Sequence, residues 1–91
     1  MSVEVRIPTV LRPKVGGQAV VTVQGATVRE VLAAMEAAHP GFGPVVLEAS
    51  GELKRFVNLF LDDEDVRYRQ GLETPVADGS TLVILPAVAG G

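Results

Sequence analysis

Only one stretch of this chain has the period of an α-helix, and that limits every architecture open to it. Thr27-Val28-Arg29-Glu30 has the form of a capping box: the Thr27 hydroxyl can accept from the Glu30 amide while the Glu30 carboxylate reaches back to the Thr27 amide. Behind it, Val28, Val31, Leu32 and Met35 fall on one helical stripe. Pro40 and Gly41 stop the helix near Ala38. The other apolar segments alternate with period two, as half-buried strands do. Val3, Val5 and Ile7 form the first, and Ala19, Val21 and Val23 the second, beyond a proline- and glycine-punctuated loop from Pro8 to Gly17. Phe56 to Leu61 reads as a third strand, Asp62 to Asp65 as a turn, and Val66 to Tyr68 as a short fourth strand. Asp78-Gly79 signals a tight turn into the last strand, Thr81 to Leu85, and pairing should fade at Pro86, which has no N–H to donate. Residues 41–54 read as irregular, with Val45-Val46-Leu47 tucking an extra turn against the core.

The order is β-β-α-β-β-β, an α+β class with a mixed sheet of four to five strands on one main helix. A chain of 91 residues buries only about 60–65% of its unfolded surface, so one helix can cover one face of the sheet and little more. Yet Leu82 and Ile84 point one way and Val83 and Leu85 the other, and Val57, Leu59 and Leu61 oppose Phe56 and Phe60. Both faces therefore carry apolar residues. The second face is either a surface for a partner or is covered by the 41–54 segment or by a second copy of the chain.

Chemistry-bearing residues are few. There is no cysteine, which removes disulfides, thiolate nucleophiles, iron–sulfur clusters and Cys-based zinc sites. The one histidine, His39, falls at the expected helix end, where capping is its expected role. Asp62-Asp63-Glu64-Asp65 lacks the ligand spacing and central glycine of a calcium loop and reads as a solvated turn, or as a steering patch for a basic partner. Gly16-Gly17 lacks the strand–glycine–helix context of a phosphate loop. Lys54-Arg55 and Arg67/Arg69 are short basic clusters without an aromatic platform, and the formal net charge of −3 argues against nucleic acid as a partner. Glu4 and Arg6 interrupt the first apolar segment, so no signal peptide or membrane span is expected there, and the expected location is cytoplasmic. No catalytic constellation, bound cofactor or metal site is expected.

The chain ends at Gly90-Gly91. A terminal glycine carboxylate is sterically bare, and Gly90 lets the backbone enter a narrow cleft without a Cβ collision. Residues 1–86 are expected to form the domain and residues 87–91 a protruding tail that spans roughly 17 Å when extended.

A β-β-α-β-β-β domain of this size ending in Gly-Gly resembles the ubiquitin-like β-grasp proteins, and more narrowly the sulfur carriers of the ThiS/MoaD type. The resemblance rests on Ile7-Pro8-Thr9-Val10-Leu11-Arg12-Pro13, on Arg55-Phe56-Val57-Asn58, on Asp63-Glu64-Asp65-Val66-Arg67 and on the ending Ile84 to Gly91. It is strongest to the cysteine-biosynthetic members of that type. The resemblance implies a carrier protein, not an enzyme. Its C-terminal glycine, Gly91, would be adenylated by an E1-like (MoeB/ThiF-type) adenylyltransferase that consumes ATP, and then converted to a thiocarboxylate. Gly90, Ala89, Val88 and Ala87 would thread the partner's channel, and Phe60, Val83 and Leu85 would form the docking face. The recipient implied is a PLP-dependent cysteine synthase acting on an activated serine, followed by a metalloprotease that frees cysteine. Other recipients stay open: molybdopterin synthase, of which the chain would be the small subunit, thiamine synthesis, tRNA thiolation, or target lysines if the chain is a ubiquitin-like protein modifier. Neither nucleic acid nor membrane is an expected partner.

Overall fold

The structure is a computed structural model that describes residues 1–86. Alternation in the first two apolar segments produces an antiparallel pair, β1 (Ser2–Arg6) and β2 (Val20–Gln24), with Val3 opposite Val23 and Val5 opposite Val21. The helix α1 (Val28–Ala38) follows, and its stripe of Val28, Val31, Leu32 and Met35 is buried as expected. At about 1.5–3 kcal/mol for each such side chain, this stripe fixes which way the helix faces. Next come one turn of helix, α2 (Gly43–Val46), and the strands β3 (Val57–Leu61), β4 (Glu64–Asp65) and β5 (Ser80–Pro86). The sheet order is β2-β1-β5-β3-β4, so the last strand is the central one. β5 runs parallel to β1 and antiparallel to β3. A parallel pair needs a crossover, and α1 lies within the crossover from β1 to β5.

One core joins the inner face of the sheet to the helix: Val3, Val5, Leu59, Leu82 and Ile84 from strands, Val31, Leu32 and Met35 from α1. Phe42 and Val46 are fully buried in that same core, so the 41–54 segment adds to the helix side and does not cover the second face. Its anchor is the Glu36 carboxylate, which accepts from the Gly41 amide at 3.0 Å and the Gly43 amide at 2.7 Å.

Four local expectations are corrected. The Thr27 hydroxyl accepts from the Glu30 amide at 3.2 Å, but the Glu30 carboxylate reaches the Ala26 amide, at 2.9 Å, and not that of Thr27. The Pro8–Gly17 stretch holds a 3-10 helix at Thr9–Val15; Leu11 and Val15, both buried, give it a reason to coil, and Gly16 at φ 68° ends it. Strand pairing resumes at Glu64–Asp65, and Val66–Tyr68 is a 3-10 turn, not a strand. The cause is a two-residue turn: Asp62 and Asp63 both take positive φ, 48° and 72°, which brings Leu61 opposite Glu64 at once. Finally, Pro86 stays in register, opposite Val57, so β5 continues one residue further than expected.

Candidate functional site

The face of the sheet left uncovered among the described residues is built by the strand residues that point away from α1. Register places Arg6 of β1 beside Val83 of β5 and Val83 beside Phe60 of β3, with Asp65 of β4 beyond it. Leu85 lies opposite Asn58, and Val20 opposite Arg6 on the far edge. Phe60, Val83 and Leu85 thus share one face, as the alternation predicts: Phe60 and Val83 are half-buried and Leu85 is 45% exposed. Their strand neighbours Leu59, Leu82 and Ile84 are fully buried on the other side. The structure therefore brings the three docking candidates together at the centre of an open face and leaves them accessible.

The next feature is where β5 ends. Pro86 lines a groove of about 650 Å³ together with Lys54, Arg55, Phe56 and Arg67, and with Glu48 and Glu52 on its flank. Phe56 precedes β3 instead of belonging to it and is 56% exposed. The Arg67 guanidinium donates to Asn58 Oδ1 at 2.8 Å, to the Lys54 carbonyl at 2.9 Å and to the Arg55 carbonyl at 3.3 Å. These neutral acceptors hold it in place without neutralising it. Phe56 and Arg67 were not among the candidate residues. The signal for Arg67 was weak, because a lone arginine in a short basic cluster gives no indication that it reaches back across a strand.

The acidic run has structural work in three of its four members. Asp62 Oδ1 accepts from the Thr81 amide at 2.9 Å, Asp65 Oδ1 from the Arg67 amide at 2.9 Å, and Glu64 pairs with Arg69 at 2.9 Å. His39 does end α1, but through its backbone amide, which donates to the Met35 carbonyl at 2.8 Å. The tail candidates Ala87, Val88, Ala89, Gly90 and Gly91 lie outside the described residues.

The ThiS family matches residues 5–91 of this chain. The sulfur carrier protein CysO of Mycobacterium tuberculosis is 48% identical across a 93-position alignment that covers all of both proteins. The small archaeal modifier protein 3 of Haloferax volcanii is 32% identical, again over the whole of both. Among solved structures, the Amycolatopsis orientalis BexX/CysO complex contains a chain that superposes with a TM-score of 0.92 at 48% identity, covering 98% of this chain and 99% of that one. The mixed sheet with one covering helix is thus the ubiquitin-like β-grasp expected from the resemblance. With a family match over nearly its whole length and full-length relatives above 30% identity, the chain belongs to the ThiS family.

Proposed function

We propose that this protein is a cytoplasmic sulfur carrier whose Gly91 carboxylate is adenylated by an E1-like enzyme and then converted to a thiocarboxylate that supplies sulfur for cysteine. The observation that carries this reading is the 48% identity, without a gap in coverage at either end, to a protein named as a sulfur carrier. The open face of Phe60, Val83 and Leu85 supports it, because the carrier must dock on another protein while its terminus reacts. A structural relative at 48% identity is one component of a solved complex with BexX, which supports the same requirement.

The chemistry needs activation because hydroxide is a poor leaving group from a carboxylate. An oxygen of the Gly91 carboxylate attacks the α-phosphate of ATP held by the partner, and pyrophosphate leaves. Hydrosulfide then attacks the acyl carbon and gives up its proton, and AMP leaves with the oxygen that had been activated. The thiocarboxylate that remains is a softer and stronger nucleophile than the carboxylate. Its sulfur bonds the β-carbon of an activated serine held by a PLP-dependent synthase, as the activating group leaves with the serine oxygen. The acyl group shifts from sulfur to the amine, and hydrolysis of that amide frees cysteine and restores the Gly91 carboxylate. Within this carrier, Gly91 holds the sulfur, Gly90 gives steric clearance, and Ala87, Val88 and Ala89 present only small side chains to a channel.

Intact mass after incubation of the full chain with ATP, a sulfide source and cell extract tests the reading. The expected result is a mass increase corresponding to exchange of one oxygen for sulfur, located on the C-terminal peptide and dependent on ATP. A chain that takes up no sulfur when ATP, sulfide and extract are all present overturns it. The relative named as an archaeal modifier favours a second use of the same activated carboxylate, attack by a target lysine amine. High-molecular-weight conjugates that disappear when Gly91 is deleted would identify that use.

A further inference from the structure

The eight cationic side chains of this chain are unevenly placed. Arg29 and Arg69 are paired, with Glu73 at 2.6 Å and Glu64 at 2.9 Å. Arg6 shares a cleft with Asp62 and Asp63. The other five, Arg12, Lys14, Lys54, Arg55 and Arg67, have no carboxylate within ion-pair distance among the described residues, and strand direction places all five at one end of the sheet. β1 and β5 run parallel, so the 3-10 helix carrying Arg12 and Lys14 follows β1 at the end where β5 finishes at Pro86. Arg12 is held there by its Nε, which donates to the Ile7 carbonyl at 3.1 Å. β3 runs the opposite way, so Lys54 and Arg55 immediately precede it at that same end, and Arg67 is tied to their carbonyls. The other end carries Asp62, Asp63 and Asp78 at its turns.

This separation occurs in a chain with eleven carboxylates, whose formal net charge is −3. Five like charges without a carboxylate partner among the described residues repel one another at one pole; Arg12 and Arg67 bond only neutral acceptors, so their charge is not neutralised by those bonds. Glu48 and Glu52 flank the groove at Pro86, but the five cations of this end outnumber them, which leaves a net positive field around Pro86. The same end exposes Val10 at 64%, Phe56 at 56% and Leu85 at 45%. Arginine beside exposed aromatic and aliphatic side chains is the composition of a protein interface.

The geometry points to a docking collar: Arg12, Lys14, Lys54, Arg55 and Arg67 bind a carboxylate-bearing rim around the active-site mouth of the protein that takes up the segment after Pro86. This inference rests on the carrier reading and adds to it the chemistry of the partner's rim. Lys54, Arg55 and Arg67 line the groove at Pro86, so engaging the rim brings Pro86 to the mouth.

The test uses the full chain and the adenylating enzyme from the same cells that thiocarboxylates it, with binding followed as a function of salt. The collar variant is Arg55→Glu, in the groove at Pro86. The control is Arg69→Glu, which changes net charge equally at the residue paired with Glu64, off the collar, and thermal melts confirm that both fold. Wild-type binding should weaken steadily as salt rises, and the collar variant should bind about tenfold more weakly at low salt with a flattened salt dependence. The control should bind as wild type does. The collar is overturned if its variant matches wild type, or if the control loses as much. It is also overturned if the chain alone self-associates at low salt and only the collar variant abolishes this, since the acidic pole of a second copy would then be the occupant. Failure of the carrier reading is separately visible, because the wild-type chain would then gain no sulfur by mass.

Discussion

Gly25 joins β2 to the capping box of α1 and is the position where a single added methyl group should do most harm. A Cβ built there falls 2.8 Å from the backbone nitrogen of Val31, 2.9 Å from Val31 Cγ2 and 3.1 Å from the carbonyl carbon of Glu30. Two of these three atoms are helix backbone, which cannot turn aside as a side chain could. Neither can Gly25 retreat easily: its amide donates to the Met1 carbonyl at 3.0 Å, and the next amide, of Ala26, is held by Glu30. Overpacking of this kind costs about 1–3 kcal/mol, and the gain from restricting the unfolded chain returns about 0.4–1 kcal/mol. Gly25→Ala should therefore destabilise by about 1–2 kcal/mol. For a domain near this size that is a fall in Tm of about 4–16 °C, measured by circular dichroism with a matching chemical-denaturation midpoint. Adding Val31→Ala to the same chain separates the causes. Because the nearest atom is the Val31 nitrogen, trimming the side chain should leave most of the loss in place. An unchanged or raised Tm for Gly25→Ala, or full rescue by Val31→Ala, would refute the argument.

Asp63→Gly should raise stability by about 0.5–1 kcal/mol, since a non-glycine residue at φ 72° bears a left-handed penalty that glycine does not; urea midpoints measure it, and a lower midpoint would contradict the turn geometry. Thr74→Val should cost about 1–2 kcal/mol in the same assay, because the fully buried Thr74 hydroxyl donates to the Gly71 carbonyl at 2.7 Å and accepts from the Gln70 amide at 3.1 Å, and valine keeps the shape but neither bond. Leu85→Asp should leave Tm nearly unchanged, yet lower the rate of thiocarboxylate formation per unit of adenylating enzyme by about tenfold or more if this face is where the partner seats. Equal rates for Leu85→Asp and wild type would remove Leu85 from the docking face.

The parts of the fold that were legible from sequence are those in which one physical rule acts without a competitor. In α1 the cap, the stripe and the proline stop all agree, and the helix runs from Val28 to Ala38 as expected. Which residues share the second face was equally legible, because alternation in β3 and β5 leaves no choice about which residues oppose Leu59 and Leu82. Only the burial of Phe42 and Val46 on the helix side shows that the 41–54 segment does not cover that face. The hairpin at Asp62–Asp65 was not, because four acidic residues in a row conceal which two adopt positive φ, and only register decides it. The 3-10 helix at Thr9–Val15 was hidden by Pro8 and Pro13, residues that usually mark a loop; burial of Leu11 and Val15 outweighs them. At the site, sequence pattern could indicate the apolar face but not the collar. The collar depends on which strand ends coincide in space, and that is a property of topology.

The place of β5 at the middle of the sheet has a consequence for how the molecule comes into being. Until Ser80 to Pro86 has left the ribosome, the β1–β2 and β3–β4 hairpins have nothing between them, and isolated two-stranded ribbons are marginal in water. Synthesis that halts before that point yields fragments without a joined sheet, which quality-control proteases can clear. The segment after Pro86 thus follows directly on the strand that joins the two halves of the sheet, so a chain long enough to carry it is also long enough to complete the fold.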